Sequence, residues 1–450
     1  MPRHFLVLGA GISGLATAWF LKKQLNADDQ ITIVDQRSTV GGWIETQWCD
    51  GFLFEQGPRS FRLSNSSQAL FEIIEALDLQ NQIIFPSKAA QRRYLFLNGR
   101  LKVLPMHLWQ IPFFYSTRGW LQAVLCDWMA KRRECEDESV ASFFTRHCGK
   151  EWLEKIIDPM ISGIYAGDTQ SLSLKSCFPE LQKWEQQSGS LIKGMWQNKK
   201  SQISLPPLPK KFAKSSLFSF AGGMQTLPNA IGAHFSNSLH LGCTVQALHA
   251  HADHMVVQLS NGHRIQADHV ISTIPLPALH KIISTLPAFN LRFASVVVVN
   301  IGFKSKIADL NGFGYLVPSK ANTPVLGCVW DSAIFEHKDC MSPNVRLGMM
   351  LGGMHHQDAI HMSEQALESI VQNALKEHMG IYQTPDIIQI HRAKDAIAQF
   401  EVGYAKNKED FLAATKNLFP RLTVSGSSIS GVAIGDCIAH AKQIAKECAC

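Results

Sequence analysis

No two of the 11 cysteines in this chain stand in a C-x-x-C spacing. An odd number at scattered positions excludes a disulfide framework, no zinc or other metal site is expected, and a reducing compartment follows. An apolar run of the roughly eighteen residues that a membrane-spanning helix needs is also missing. The nearest approach, residues 103–117, is broken by Pro105, His107, Gln110 and Pro112. No leader peptide is visible, because a strand pattern starts at His4, so a cytoplasmic location without a signal peptide is expected. Charge is sparse, at 18% against 46% apolar residues, which still excludes a disordered chain. The net excess of six basic residues is too thin and scattered for nucleic acid. It points to an anionic small molecule or an anionic membrane surface. Neither a Ser/His/Asp nor a Cys/His arrangement stands out, and the 18 histidines lack ligand spacing. A cofactor, not a side-chain nucleophile, is therefore expected to carry any hard chemistry.

At 450 residues, two or three domains are expected. His4-Phe5-Leu6-Val7-Leu8 reads as a strand, Gly9-Ala10-Gly11-Ile12-Ser13-Gly14 as a turn opening a helix, and residues 31–35 as a second strand. This βαβ start is a dinucleotide site with a mechanical reason for each part. Gly9 makes the tight turn, Gly11 lets a pyrophosphate approach the backbone, and Gly14 lets helix pack on sheet. The first N–H groups of the helix face the phosphates. Asp35, with Gln36 beside it, accepts from ribose hydroxyls. Gly41-Gly42-Trp43 and Gly57-Pro58-Arg59 follow, the second bringing a fixed cation to the same loop.

This extended signature resembles the FAD-dependent amine oxidase group, which includes desaturases and porphyrinogen oxidases. The resemblance implies FAD as cofactor. It also implies a C-terminal segment that returns to the flavin, here Gly426 to Asp436, with Val432, Ala433 and Ile434 at a helix start. Val245 matches the position that meets adenine, and Thr273 ends a strand returning to the flavin.

Several strings are similar to the porphyrinogen oxidases within that group: Gly41-Gly42-Trp43-Ile44, Arg93-Tyr94-Leu95-Phe96, Gly163-Ile164-Tyr165-Ala166-Gly167-Asp168, Gly312-Phe313-Gly314-Tyr315-Leu316-Val317-Pro318 and Met350-Leu351-Gly352-Gly353. The resemblance implies an α/β (α+β multi-domain) fold. A Rossmann-like FAD-binding domain comprises 1–88, 215–278 and 405–450. A mixed-sheet substrate domain comprises 89–98 and 279–404. A mainly helical, membrane-docking insertion spans 99–214. Arg93 then binds a substrate propionate, Gly163 lies near a tetrapyrrole, and Phe313, Gly314, Leu316 and Met350 wall the macrocycle. Two departures stand out: Ala398-Gln399-Phe400 with Gly403-Tyr404 replaces a Pro-Gln-Tyr string and a Gly-His, and the basic residue that many relatives carry near Ser162 is missing.

The implied reaction is six-electron oxidation of protoporphyrinogen IX to protoporphyrin IX in haem biosynthesis, by hydride transfer from a methylene bridge to flavin N5. Dioxygen or another acceptor reoxidises the flavin. A coproporphyrinogen III oxidase, another amine oxidase or desaturase, and a non-catalytic flavoprotein remain open, as does a homodimer. The stretch 101–133, with Trp109, Trp120, Trp128 and Lys131-Arg132-Arg133, reads as a peripheral membrane element.

Overall fold

A computed structural model describes residues 2–64, 66–105, 117–130, 136–198, 216–307, 309–336 and 345–449. Its first strand, His4–Leu8, is the centre of a five-stranded parallel sheet. The order across that sheet is Leu239–His240, Gln30–Val34, His4–Leu8, His269–Ser272, Leu422–Val424. A strand covered on both faces reads as an unbroken apolar run, and Phe5 through Leu8 are each at most 2% exposed. Gln30–Val34, with Leu239–His240 beyond it, lies on one side of the first strand, and His269–Ser272 and Leu422–Val424 lie on the other. The strand order therefore reverses at its C-terminal end, where open parallel sheets form their ligand crevice.

Helices Ile12–Lys22 and Ile434–Ala449 pack together on one face of this sheet. Leu15, Phe20, Ile438 and Ala441 share that core. An antiparallel ribbon, Val245–Ala250, Met255–Leu259 and Arg264–Ala267, covers the other face, with Met255 and Val257 against Leu6 and Leu8.

The second sheet has seven strands in the order Ile387–Gln399, Arg292–Phe303, Val345–Gly352, Val325–Val329, Gly314–Leu316, Tyr94–Leu97, Arg100–Val103. It is mixed: Gly314–Leu316 runs parallel to Tyr94–Leu97 and the other pairs are antiparallel. Arg100–Val103 carries the sheet past the boundary expected after residue 98. The overlooked signal is Asn98-Gly99, both at positive φ, the dipeptide that favours a tight hairpin. One sheet face buries Val297, Val299, Ile301, Leu347 and Met349 against Leu367, Val371 and Leu375 of helix Glu364–Met379. Ser363 caps that helix, its hydroxyl accepting the Ala366 N–H at 3.2 Å. By the period of two, Val296, Val298, Asn300, Gly348 and Met350 face the opposite way.

A third group of helices includes Thr117–Met129, Val140–Cys148, Asp158–Tyr165, Pro179–Ser188 and Leu191–Asn198. Its core of Phe143, Phe144, Ile157 and Ile161 also takes in Ala398, Phe400 and Tyr404, which tie it to the end of the long strand Ile387–Gln399. Trp109, Phe113, Phe114, Tyr115, Lys131, Arg132 and Arg133 lie outside the described residues. Among those described, no helix is long and apolar enough to cross a membrane.

Candidate active site

The ends of four parallel strands converge on one crevice. Gly9 follows the first strand with φ +103°, and a Cβ there would stand 2.8 Å from Thr273 Oγ1. Thr273 follows the neighbouring strand, and its hydroxyl donates to the Leu8 carbonyl at 2.9 Å. Gly426 follows the outer strand with φ +94°, where a Cβ would lie 2.9 Å from the Thr273 carbonyl oxygen. Asp35 closes the fourth side. Gly14 is helical, yet a Cβ on it would strike the Gly9 carbonyl oxygen, so a side chain there would push helix from turn.

Gly11, by contrast, sits at the rim of an open cradle. A Cβ there would have Gly42 Cα as its nearest neighbour, at 3.8 Å. Gly11 bridges Gly41, and the Gly41 N–H donates to the Ala10 carbonyl at 2.9 Å. The helix that starts at Ile12 and Ser13 has no side-chain cap at Gly11. Its leading N–H groups are thus left for an anion, which the helix dipole also favours. This is the surface a dinucleotide pyrophosphate requires, and the residues fit one.

Asp35 accepts two backbone donors, Ala10 N–H at 2.6 Å on Oδ2 and Arg37 N–H at 2.8 Å on Oδ1. Each carboxylate oxygen keeps a lone pair for a ribose hydroxyl. Gln36 is exposed beside it. The segment leading to Val245 runs alongside, with Gly242 N–H on the Arg37 carbonyl and Cys243 N–H on the Asp35 carbonyl. Gly57 packs under Trp43, where a Cβ would meet the Trp43 carbonyl, and Pro58 continues the loop. Trp43 faces the Arg37 guanidinium at 5.5 Å. Val432 and Ala433 enter the C-terminal helix at Ile434, after Gly431 with φ +120°.

The cation that follows this loop is Arg59. Its guanidinium is held by the second sheet. It pairs with Asp331 and donates to Asn300 Oδ1 at 2.7 Å. It lies flat on the second sheet because Gly348 carries no Cβ, which would collide with it. Burial pushes the Asp331 carboxyl upward, and the charges of Arg59 and Arg346 act against that. Arg59 therefore bolts the loop of the first sheet to the face of the second.

That face carries the expected macrocycle walls. Register pairs Leu316 with Gly327, Gly327 with Met350, and Met350 with Val298. Directly paired residues project from the same face, so Leu316, Met350 and Val298 form one apolar row with a glycine gap. Leu316 folds over the gap towards Gly163, where a Cβ would approach Leu316 Cδ2 to 2.7 Å. Gly314, with φ +135°, turns the chain between Phe313 and this row. The Phe313 N–H donates to the Arg92 carbonyl, and the Arg93 guanidinium lies 5.4 Å from the Phe313 ring. Burial, reinforced by neighbouring Arg62, lowers the Arg93 pKa. Solvent still reaches Arg93, and no described carboxylate pairs with it. The structure thus brings Gly163, Phe313, Leu316, Met350 and Arg93 to one side of the crevice.

Residues the sequence reading missed lie beside these. Glu55 is buried, and burial pushes its carboxyl up to about 7 against the Met224 N–H and the Thr46 hydroxyl that it accepts. Gln399 donates to the Tyr165 carbonyl at 2.9 Å. Tyr404, at a departure from the family pattern, donates its hydroxyl to the Ser428 carbonyl at 2.7 Å, in the returning C-terminal segment. The Phe400 ring packs against it at a tilt, with centroids 4.3 Å apart. The departures thus fill the joint between helices, sheet and C-terminal segment.

Known proteins are similar along the whole chain. A bovine (Bos taurus) protoporphyrinogen oxidase is 32% identical, covering 99% of this chain and 98% of its own. A coproporphyrinogen III oxidase of Bacillus subtilis is 28% identical, covering 98% and 96%. A crystal structure from Exiguobacterium sp. 255-15 superposes with a TM-score of 0.86 at 22% identity, covering 100% of this chain and 99% of that one, and shares the fold. Residues 12–449 match the model of the flavin containing amine oxidoreductases. Whole-length likeness of that kind, on a crevice shaped for a dinucleotide, means that this chain belongs to the flavin containing amine oxidoreductase family, and its cofactor is FAD.

Proposed function

We propose that the chain oxidises protoporphyrinogen IX to protoporphyrin IX, with dioxygen or another acceptor taking six electrons in three rounds. The observation that carries this reading is the apolar row of Leu316, Met350 and Val298, opposed to the glycine-rich strand ends and flanked by Arg93. FAD, when bound, supplies the hydride acceptor, N5, for a hydride leaving a methylene bridge of the macrocycle. The side chains of this protein orient and enclose. Gly9, Gly11, Gly14, Gly41 and Gly42 admit the pyrophosphate to the backbone, and Asp35 takes a ribose hydroxyl. Leu316 and Met350 offer the macrocycle an apolar wall, and the gap at Gly327 gives it depth. Arg93, rigidified by Phe313, holds a propionate by a charge-assisted bond. Arg59, locked to Asp331, keeps the two walls at a constant distance. Coproporphyrinogen III, with four propionates, is the competing substrate, because the Bacillus subtilis relative bears that name.

Three functional parts follow from this reading: the FAD domain, the substrate sheet from 89 onward, and the helical insertion. The insertion supports docking on an anionic membrane. Leu121, Val124, Leu125 and Trp128 lie exposed along one helix, with Ile192 and Trp196 on another. Asp127 clamps these helices together. It accepts the Leu191 and Ile192 N–H groups and the Ser190 hydroxyl, and its other partner is His147 at 2.7 Å. Burial alone would raise the Asp127 carboxyl, but these bonds hold it at about 2. Aromatic and aliphatic side chains at one surface suit the headgroup boundary.

Anaerobic mixing of the holoprotein with protoporphyrinogen IX tests the activity. Bleaching of the flavin band is the expected result, and an oxidised spectrum that never changes rejects the proposal. Flotation with anionic vesicles tests docking; equal flotation of the wild type and a Trp128→Ser, Trp196→Ser variant rejects it.

A further inference from the structure

Helix Asp158–Tyr165 carries Gly163, and strand Gly314–Leu316 carries the wall residue that Gly163 meets. Asp158, the first residue of that helix, ties the one to the other. Its side chain belongs to a residue only 7% exposed. The carboxylate accepts the Ser319 backbone N–H at 2.8 Å on Oδ2 and the Ser319 hydroxyl at 3.0 Å on Oδ1. Ser319 opens a single 3₁₀ turn, Ser319–Ala321, that has no side-chain cap from its own N-cap residue, Pro318. Asp158 therefore supplies, from another element, an acceptor for the leading N–H of that turn. One residue further on, the Lys320 ammonium meets Glu154 at 2.5 Å. That pair is partly exposed and adds little strength, but it acts in the same direction.

Ser319 is linked stiffly to the wall. Val317 and Pro318 separate it from Leu316. Val317 is buried and donates its N–H to the Leu326 carbonyl at 2.9 Å, and the Pro318 ring fixes its own φ. Just past the other end of the helix, the Ala166 carbonyl accepts the Met354 N–H at 2.8 Å. Gly353 makes room for that contact, because a Cβ on it would stand 2.7 Å from the Ala166 oxygen. The helix is thus fastened to the second sheet at both ends, with Gly163 between the fastenings. Leu316 Cδ2 lies in the slot that remains. A Cβ on Gly163 would reach it at 2.7 Å, and one on Gly327 at 3.1 Å. In packing that close, the position of a side chain follows the spacing of the elements around it.

We propose that Asp158 is a positioning residue of the substrate site. By holding Ser319 it sets the gap between Gly163 and Gly327, and so the depth at which Leu316 stands in the macrocycle wall. This rests on the porphyrinogen reading above. Asp158 acts through Leu316, not on the ring itself.

The test is a double-mutant cycle on the FAD-loaded protein. It pairs Asp158→Ala with Leu316→Ala and reads kcat and KM for protoporphyrinogen IX. Asp158→Ala strands a buried N–H and is expected to raise KM about tenfold, with a smaller change in kcat. Asp158→Asn should recover most of that loss, because its Oδ1 still accepts the Ser319 N–H and its amide donates to the hydroxyl oxygen. In the Leu316→Ala background, Asp158→Ala should move KM by less than about twofold, since the side chain it positions is gone. An Asp158 that only stabilises the fold would lower the urea midpoint and leave the two KM effects additive. An unchanged KM in Asp158→Ala overturns the proposal, as does an equal effect with and without Leu316. A loss in Asp158→Asn as large as in Asp158→Ala overturns it too. If Asp158→Ala does not fold, Ser319→Ala takes its place in the cycle and is read in the same way. A wild type that bleaches with protoporphyrinogen IX but gives an additive cycle overturns this role alone. A wild type that neither bleaches nor turns over overturns the porphyrinogen reading. Amide hydrogen exchange then decides the clamp without substrate: faster exchange of residues 158–166 in Asp158→Ala supports it, and equal exchange overturns it.

Discussion

Replacing Arg59 with alanine tests how the two walls of the crevice are held. The Arg59 and Asp331 side chains are only 8% and 13% exposed, so water screens their pairing weakly. The guanidinium also loses its bond to Asn300 and its seat on Gly348. Arg59→Ala leaves the Asp331 carboxylate buried, with Arg346 as its remaining cation. Removing one partner of a buried pair costs about 3–5 kcal/mol, whereas replacing both with apolar residues is near neutral. Arg59→Ala is therefore expected to lower the urea midpoint by that amount divided by the m value, with m itself unchanged. The double variant Arg59→Met, Asp331→Leu should recover most of the loss, for a coupling energy of about 3 kcal/mol. The assay is urea unfolding of wild type, Arg59→Met, Asp331→Leu and the double variant, with Arg59→Ala alongside, followed by tryptophan fluorescence, with FAD content measured on each. A neutral Arg59→Ala, or a double variant as unstable as the single, refutes the reasoning. FAD content carries a separate answer: a double variant of normal stability that loses FAD would make Arg59 a cofactor contact as well as a bolt.

Gly14→Ala should yield a protein without bound flavin, because the new methyl group meets the Gly9 carbonyl and separates the helix from the turn; a retained flavin absorbance band would contradict this. Gly163→Ala should raise KM for the porphyrinogen by about tenfold, as overpacking of 1–3 kcal/mol would, by displacing Leu316. Leu316→Val should relieve it, and a Gly163→Ala variant with wild-type KM would remove Leu316 from the wall. Glu55 governs a pH dependence. Its folded pKa of about 7 lies above the ordinary 4.5, so the folded state binds the proton more tightly. Its contribution is full below about pH 4.5 and is lost as pH rises to about 7, a change of about 3 kcal/mol. The stability difference between wild type and Glu55→Gln should therefore shift by that amount in favour of the glutamine variant across this window. A pH-independent difference in urea midpoints would refute it.

Much of the cofactor crevice is legible in the sequence because its chemistry is local. Gly9, Gly11 and Gly14 lie within one turn, and the need for positive φ, close approach or helix packing is written in the residue type. Thr273 and Gly426 were marked by the family resemblance, and the structure supplies the reason: each follows a strand of the parallel sheet, and parallel strands end together. Asn98-Gly99 was equally readable, as a tight turn that extends the second sheet to Val103, but its signal is two residues long. The partners that fix Arg59 were not legible, because sequence proximity to the glycine loop says nothing of Asp331 and Asn300, more than two hundred positions away.

Sequence alone determined that a dinucleotide would be held at glycine-rich strand ends, since backbone conformation and the absence of Cβ atoms act over a few residues. The family resemblance also singled out Leu316 and Met350 as candidate wall and Arg93 as candidate cation. Only the tertiary structure decided what those residues face. Register across four strands put Leu316, Gly327, Met350 and Val298 in one row. The missing side chain of Gly348 made room for Arg59. The packing of distant segments turned Phe400 and Tyr404 into a joint. Such contacts depend on which strands lie side by side, and that is settled by burial of the whole core rather than by any short stretch of chain.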